Sequence, residues 1–262
     1  MRLISVVIVN YRSGNLVRTC LESLIQSMAD SSFEILIINN DSVENLSPVL
    51  TREWPHVRVI QNTSNLGFSA AANQGFRQSR GEFVLLLNPD VQASPGSVDA
   101  LVSTLDAHEE AGIVLSQLRN ADGSLQYSCR RFYTFGTLLL RRGPWKRFFI
   151  DHPKVQHHLM KEMDHQSLAP VDWGLGAAML VRRSVIPGQT LFDERFFLYF
   201  EDVDLCLRLH RAGWRVLYNP ASVMIHEHRR DSARPLSLMA KRHHFVSLMK
   251  FLLKYRFRLG MS

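Results

Sequence analysis

The chain has 262 residues, 46% apolar and 21% charged, with three cysteines and a formal net charge of +7. This describes a folded protein able to bury a sizeable core, one large domain or a domain with an appended piece, and excludes a disordered or disulfide-scaffolded chain. The charge is local: seven bases and no acid follow Asp231, and without those seven the remaining bases match the 24 acids, which argues against a nucleic-acid partner.

The opening "LISVVIVNY" is β-branched and too short for a secretory signal core, so it reads as a buried strand. No apolar stretch approaches the ~20 residues of a membrane-spanning helix. Cys20, Cys129 and Cys206 are scattered, with no CxxC pair, as expected of a reducing cytoplasm. Through residue 118, "ISVVIVN", "FEILIIN", "VRVIQN", "EFVLLLN" and "IVLSQL" read as strands. Between them "LVRTCLESLIQSM", "SAAANQGFRQS" and "SVDALVSTLDAH" carry helical spacing. Such alternation predicts a mostly parallel α/β sheet whose ligand crevice lies at the carboxyl ends of its strands. Those ends read "NYRSG", "NNDS", "NTSNLG" and "NPD", all polar.

Residues 119–170 are basic, aromatic and His-rich with weak periodicity, and read as a mobile excursion; its 123–150 stretch has six bases and no acid. "VDWGLGAAMLVRR" predicts a strand, Glu201 to about Ala212 a helix, and "WRVLYN" and "SVMIHEH" two more strands. From Leu236 the pattern is a basic amphipathic helix, with Phe245, Leu248, Met249 and Leu252 on one face and Lys250, Lys254 and Arg258 on another. The expected organisation is a single domain over 1–230 and a helical tail over 231–262.

Several residues have two readings. Asp90, just past Pro89 at a strand end, is either turn chemistry or a carboxylate for a divalent cation carrying a diphosphate. His226 is either a packed strand histidine or a metal ligand. Gly67, Ser69 and Asn73 open a small-residue helix that suits close packing or phosphate binding. The acids Glu201, Asp202 and Asp204 directly follow the apolar run Phe196–Phe200. They either complement a helix dipole or include a carboxylate tuned by apolar walls for proton transfer.

Taken in order, "SVVIVNYRSGNLVRTCLESLIQS", "IINNDS", "NTSNLGFSAAANQGF", "GEFVLLLNPDV", "DWGLGAAMLVRRSV", "FDERFFLYFEDVDLCLRLHRAGW" and "VMIHEH" resemble glycosyltransferase family 2. Within it they resemble the rhamnosyltransferase-like enzymes of bacterial surface polysaccharide synthesis. The resemblance implies a GT-A fold and inverting, metal-dependent transfer, with rhamnose a candidate sugar. The donor would be a TDP- or UDP-linked sugar, the acceptor a saccharide or a polyprenyl-linked one, and the cofactor Mg²⁺ or Mn²⁺. It implies that Val9, Asn10, Tyr11 and Asn39 line the nucleoside pocket and that Asn65, Gly67 and Asn73 serve the donor. Asn88 and Asp90 match the Asp-x-Asp metal motif and His226 a late metal-binding histidine. Asp202 would be the general base, and Trp173, Gly174 and Glu201 would serve the acceptor. Two positions depart from the pattern: Asn39 where the family often has Asp, and Asn88 for the first motif Asp. Such an acceptor places the enzyme in the cytoplasm, in peripheral contact with the anionic inner membrane face through the basic tail. The alternative class is a non-catalytic nucleotide-sugar or polysaccharide-binding protein on the same fold.

Overall fold

The computed structural model describes residues 3–28, 32–142, 146–227 and 237–256. The first half runs β1 (Leu3–Asn10), α1 (Gly14–Ser27), β2 (Ser32–Asn39), α2 (Ser47–Glu53), β3 (Val57–Gln61), α3 (Phe68–Gln78) and β4 (Phe83–Leu87). It continues with β5 (Val91–Ala93), α4 (Ser97–Ala107) and β6 (Ala111–Arg119). Then come β7 (Cys129–Arg130), α5 (Phe135–Arg142), α6 (Pro153–His158), β8 (Ala169–Val171), β9 (Trp173–Gly174) and β10 (Ala178–Arg182). The chain closes with α7 (Glu201–Arg211), β11 (Arg215–His226) and α8 (Ser237–Lys254).

The main sheet has the order β3-β2-β1-β4-β10-β6-β11-β5, with β8 also on β11. Strands β1 to β4 are parallel, as is the β6–β11 pair, because helices cross over between them. Both faces are covered, so the strands read as continuous apolar runs rather than an alternation. Along β1, Val7 and Val9 join one apolar cluster, while Ile4, Val6 and Ile8 join the other across the sheet. Each such fully buried side chain contributes about 1.5–3 kcal/mol.

Two antiparallel strands position the site. β10 lies between β4 and β6, with Ala178 opposite Leu87, so its start meets the carboxyl end of β4. At the other side β11 pairs β5 with His226 opposite Val91, one residue from Asp90.

The structure corrects four expectations. Residues 119–170 are not a loose excursion among the described residues: Cys129, Phe132, Tyr133, Leu138 and Met160 are buried in the same cluster as α7. Aromatic side chains there pay for the ordering that weak periodicity does not signal. "VDWGLGAAMLVRR" is two strands, β9 and β10, which join different sheets. "WRVLYN" and "SVMIHEH" are one strand with a register shift between Asn219 and Val223, where Pro220 has no N–H for the ladder. On α8, Leu248 and Leu252 pack on the core with the buried Ser247, Phe251 and Tyr255, whereas Phe245 and Met249 face outward. Lys254 points to acids rather than to solvent, and Arg258 lies outside the described residues. Cys20, Cys129 and Cys206 are free and buried.

Candidate active site

At the carboxyl ends of β1 and β4 lies a cavity of about 280 Å³. Val9, Tyr11, Asn65, Gly67, Asn88 and Asp90 line it, together with Asn40 and the loop residues Phe197 and Leu198. The Asn40 side chain shapes one wall: its amide donates to Asn65 Oδ1 at 2.9 Å and its carbonyl accepts from Leu66 N at 3.0 Å. Gly67 has φ +85°, and a Cβ there would sit 2.6 Å from the Phe197 ring. Only glycine therefore lets the start of α3 press against the 197 loop, where Phe68 N donates to Phe197 O at 2.7 Å.

Asp90 and His226, 136 positions apart in sequence, meet at this end. His226 Nε2 stands 3.4 Å from Asp90 Oδ1, an oxygen that is buried and has no hydrogen-bond partner among the described residues. Gln126 fixes the tautomer. Its Nε2 donates to Asn120 Oδ1 and to His226 O at 2.8 and 2.7 Å, which turns its Oε1 to His226 Nδ1 at 3.0 Å. The imidazole proton therefore sits on Nδ1, and the Nε2 lone pair faces a carboxylate oxygen. Two electron-pair donors at that distance require positive charge between them, a proton or a cation. The residues fit a divalent ion: a hard carboxylate oxygen, an imidazole with an oriented second nitrogen, and room for phosphate oxygens. Among the described residues no group of three or more His, Cys, Asp or Glu side chains gathers around a metal position. Ions bound with a diphosphate need only one or two carboxylates.

The acids that open α7 have separate environments. Asp204 is fully buried and accepts from Arg208 Nε at 2.9 Å, Lys254 Nζ at 2.5 Å and Tyr255 OH at 2.7 Å. It is a structural hub. Asp202 accepts from Val203 N at 2.8 Å and Gly176 N at 3.4 Å. Burial raises its pKa to about 6, and those backbone donors restrain the rise. Glu201 is buried with Oε2 unpartnered among the described residues, and burial foremost, then the charges of Asp202 and Asp204, pushes it well above the usual carboxylate range. Of the adjacent pair, Asp202 is the one stabilised as a carboxylate. It also lies near the metal-competent end: Gly176 precedes Ala177, whose carbonyl accepts from Asn88 N at 2.9 Å.

Eight expected residues do not line this cavity: Glu201, Asp202 and His226, placed above, and Asn10, Asn39, Asn73, Trp173 and Gly174. Asn39 is fully buried; its amide donates to Glu44 O and Gln61 Oε1 and its carbonyl accepts from Asn10 Nδ2 at 2.8 Å. Asn10 is thereby committed as well. Asn73 exchanges hydrogen bonds with the backbone of Phe192, both 2.8 Å, and ties α3 to the loop before α7. Trp173 is 4% exposed and packed against Tyr133, with its Nε1 donating to Arg131 O at 3.0 Å. Gly174 is likewise buried, where a Cβ would strike Leu115 at 2.4 Å. Conversely, Gln126, Gly176, Phe197 and Leu198 enter the site without having been singled out. Only their proximity to marked residues signalled Gly176, Phe197 and Leu198, and nothing local signalled Gln126.

The model of "Glycosyl transferase family 2" matches residues 5–167. The "N-acetylglucosaminyl-diphospho-decaprenol L-rhamnosyltransferase" of Mycobacterium tuberculosis is 33% identical over 253 residues, covering 91% of this chain and 80% of the relative. "Rhamnosyltransferase WbbL" of Escherichia coli is 27% identical, covering 97% and 94%. Among solved structures, a mannosyltransferase of Pyrobaculum calidifontis in complex with GDP-Man and Mn²⁺ superposes with a TM-score of 0.60 at 16% identity. This chain is covered to 94% there and spans 64% of that one. That likeness shows the GT-A type of fold. The strand order, the cavity at the strand ends and the sequence match agree: the chain belongs to glycosyl transferase family 2 and is a glycosyltransferase of the rhamnosyltransferase-like kind.

Proposed function

We propose that the chain transfers a sugar, rhamnose in the first instance, from a TDP- or UDP-linked donor to a saccharide carried on a polyprenyl lipid, with inversion at the anomeric carbon. One observation carries this reading. A carboxylate with a pKa raised to about 6 is tied through Gly176 to the strand end that bears the Asp90–His226 pair. The names of the mycobacterial and Escherichia coli relatives support rhamnose, and the former supports a diphospho-lipid acceptor.

Val9, Tyr11, Asn65 and Gly67 hold the nucleoside end of the donor in the cavity. Asp90 and His226, with Asn88 alongside, would hold Mg²⁺ or Mn²⁺, which when bound supplies positive charge for the leaving diphosphate. Asp202 takes the proton of the acceptor hydroxyl as that oxygen bonds to the anomeric carbon. The carbon–oxygen bond to the donor diphosphate breaks on the opposite side, so a single displacement inverts the configuration. Glu201 orients the acceptor. Phe197 and Leu198 keep water from the donor. Among the described residues no helix is long and apolar enough to cross a membrane. The basic, partly apolar helix α8 supports peripheral contact with an anionic inner membrane face, where a lipid-linked acceptor would be met.

The test is donor turnover by the full chain with TDP-rhamnose and Mn²⁺, with the released sugar followed by NMR. Slow release of the inverted anomer by water, lost in Asp90→Ala, is the expected result. Release of the retained anomer, or release undiminished in Asp90→Ala, overturns the reading.

A further inference from the structure

The acid-free stretch 123–150 folds against the base, and none of its cations is used by the chemistry described above. Arg130, on β7, pairs with Trp173 on β9, three residues before the Gly176 that touches Asp202. Its Nη1 is turned onto Cys129 O at 2.6 Å and also meets Tyr127 O. Arg141, at the last turn of α5, donates from Nη1 to His158 Nε2 at 2.7 Å. His158 is 1% exposed and lies against the Tyr133 ring, tilted by 36° at 4.6 Å, so a neutral, buried imidazole props a guanidinium in place. His158 O also accepts from Arg131 N at 2.9 Å, so the imidazole that props Arg141 is tied to the residue that follows Arg130. Arg130 is lowered to about 10, by burial first and then by Arg141. Tyr133, Cys129 and the Asp202 carboxylate also act on Arg130, and neutral His158 stands beside Arg141. Both arginines remain partly open to solvent.

The other side of α5 has the opposite character. Leu138 and Arg141 share its inner stripe, while Phe135 and Leu139 share the outer one at 75% and 65% exposure. The 3-10 helix Lys146–Phe149 and the residue after it add Phe148 and Ile150, also exposed, beside the exposed Arg147. Cations near a base and an apolar, acid-free outer surface on one short helix match a ligand with an anionic head joined to a hydrocarbon chain.

We propose that Arg130 and Arg141 bind the diphosphate of a lipid-linked acceptor, with the exposed Phe135, Leu139, Phe148 and Ile150 carrying the first part of its lipid. This rests on the reading of a lipid-linked acceptor and specifies how that acceptor is held. Two guanidiniums offer paired donors that suit phosphate oxygens, a geometry lysine cannot copy fully. The saccharide beyond the diphosphate would then extend toward Asp202. The donor's own diphosphate is provided for elsewhere, at Asp90 and His226.

The probe is farnesyl diphosphate, titrated calorimetrically into the full chain with the donor cavity saturated by TDP. Binding is expected to persist under saturation, and farnesol and inorganic pyrophosphate should each bind at least tenfold more weakly. Arg130→Gln and Arg141→Gln should each weaken binding by about 10–100-fold, since each removes charge-assisted hydrogen bonds. TDP affinity should be unchanged. Arg130→Lys and Arg141→Lys, which keep charge, should recover part of the loss and serve if a Gln variant does not melt cooperatively. Farnesyl diphosphate displaced wholly by TDP, pyrophosphate binding as tightly as the lipid diphosphate, or folded arginine variants that bind like wild type would each overturn the assignment. Absent donor turnover with intact farnesyl diphosphate binding would instead count against the proposed reaction, so the two failures are distinguishable.

Discussion

At the scale of residues, the site is built from neighbours forced into different states. Glu201 and Asp202 share a buried spot, but only Asp202 receives two backbone N–H donors, so it carries the charge. Replacing it with Asn keeps shape and removes proton acceptance. Transfer should fall by on the order of 10²–10⁴ with donor affinity nearly unchanged. Because the base must be charged, the wild-type kcat should fall as pH drops through about 6. The sign for stability is opposite. A carboxyl raised in the folded state contributes most when protonated, below its ordinary 3.8, and loses that contribution as pH rises through about 6. Asp202→Asn should therefore melt higher than wild type at pH 8, with the advantage gone by pH 4, as thermal melts at both values would show. Gln126 gives a second expectation. Gln126→Leu frees the His226 tautomer and should weaken Mn²⁺ binding about 10–100-fold, read by Mn²⁺ titration. Asp90, Asp202 and His226 could be marked as candidates in the sequence because each stands at a strand or helix end where the pattern changes. Gln126 was not, since its partner is 100 residues away. Asn39, Asn73 and Trp173 looked like ligand contacts for the same local reasons, and only the folded packing shows their polar atoms spent inside the chain.

Among the elements, α8 and the loop before α7 depend on each other. Tyr199 and Phe200 both have φ of 70°, a left-handed conformation that costs roughly 1–2 kcal/mol for each non-glycine residue. Helix α8 holds them there. His243 stacks on Phe197 at 4.8 Å, Ser247 Oγ donates to Leu198 O at 2.8 Å, and Phe251 packs on Phe200 at 5.3 Å. Lys254 closes the clamp on Asp193 and Asp204. Lys254→Met leaves Asp204 fully buried with one cation fewer and should cost on the order of 2–4 kcal/mol in urea denaturation. It should also lower kcat, because the same loop carries the cavity wall and leads into Asp202. Leu253→Ser, on the exposed side, should change neither. The tail was legible as a helix, but its inward face was not. Apolar residues surround it so nearly that the stripe of Phe245 and Met249 looks as good as that of Leu248, Phe251 and Tyr255. The parallel half of the sheet was easier to read: its strands are short apolar runs ended by polar turns, a pattern that β7 and β9, two residues each, are too short to show.

For the whole molecule, the question is what would bring a protein with this surface to the proposed lipid-linked acceptor. The packing of α8 removes Lys254 and the Leu248–Leu252 stripe from consideration, since both are engaged within the domain. What remains outside on that helix is Leu238, Met239, Phe245, Val246, Met249 and Leu253, with Lys241, Arg242 and Lys250 also exposed. No acid follows Asp231 to offset those bases. Apolar side chains that enter the headgroup boundary and bases that meet anionic lipid act together on such a helix. Near an anionic leaflet each base is worth about 1 kcal/mol, and the attraction fades over a Debye length of about 8 Å at physiological salt. Neutralising Lys241, Arg242 and Lys250 together with Gln should thus lower partitioning onto anionic vesicles by about 100-fold, since roughly 1.4 kcal/mol is a factor of ten. The variant should keep its melting temperature, because surface bases away from a buried network change stability little. Wild-type binding should weaken as salt rises and be slight on neutral vesicles at any salt. Vesicle sedimentation at low and physiological salt decides it: a triple variant that pellets like wild type with anionic vesicles would move the membrane contact away from α8.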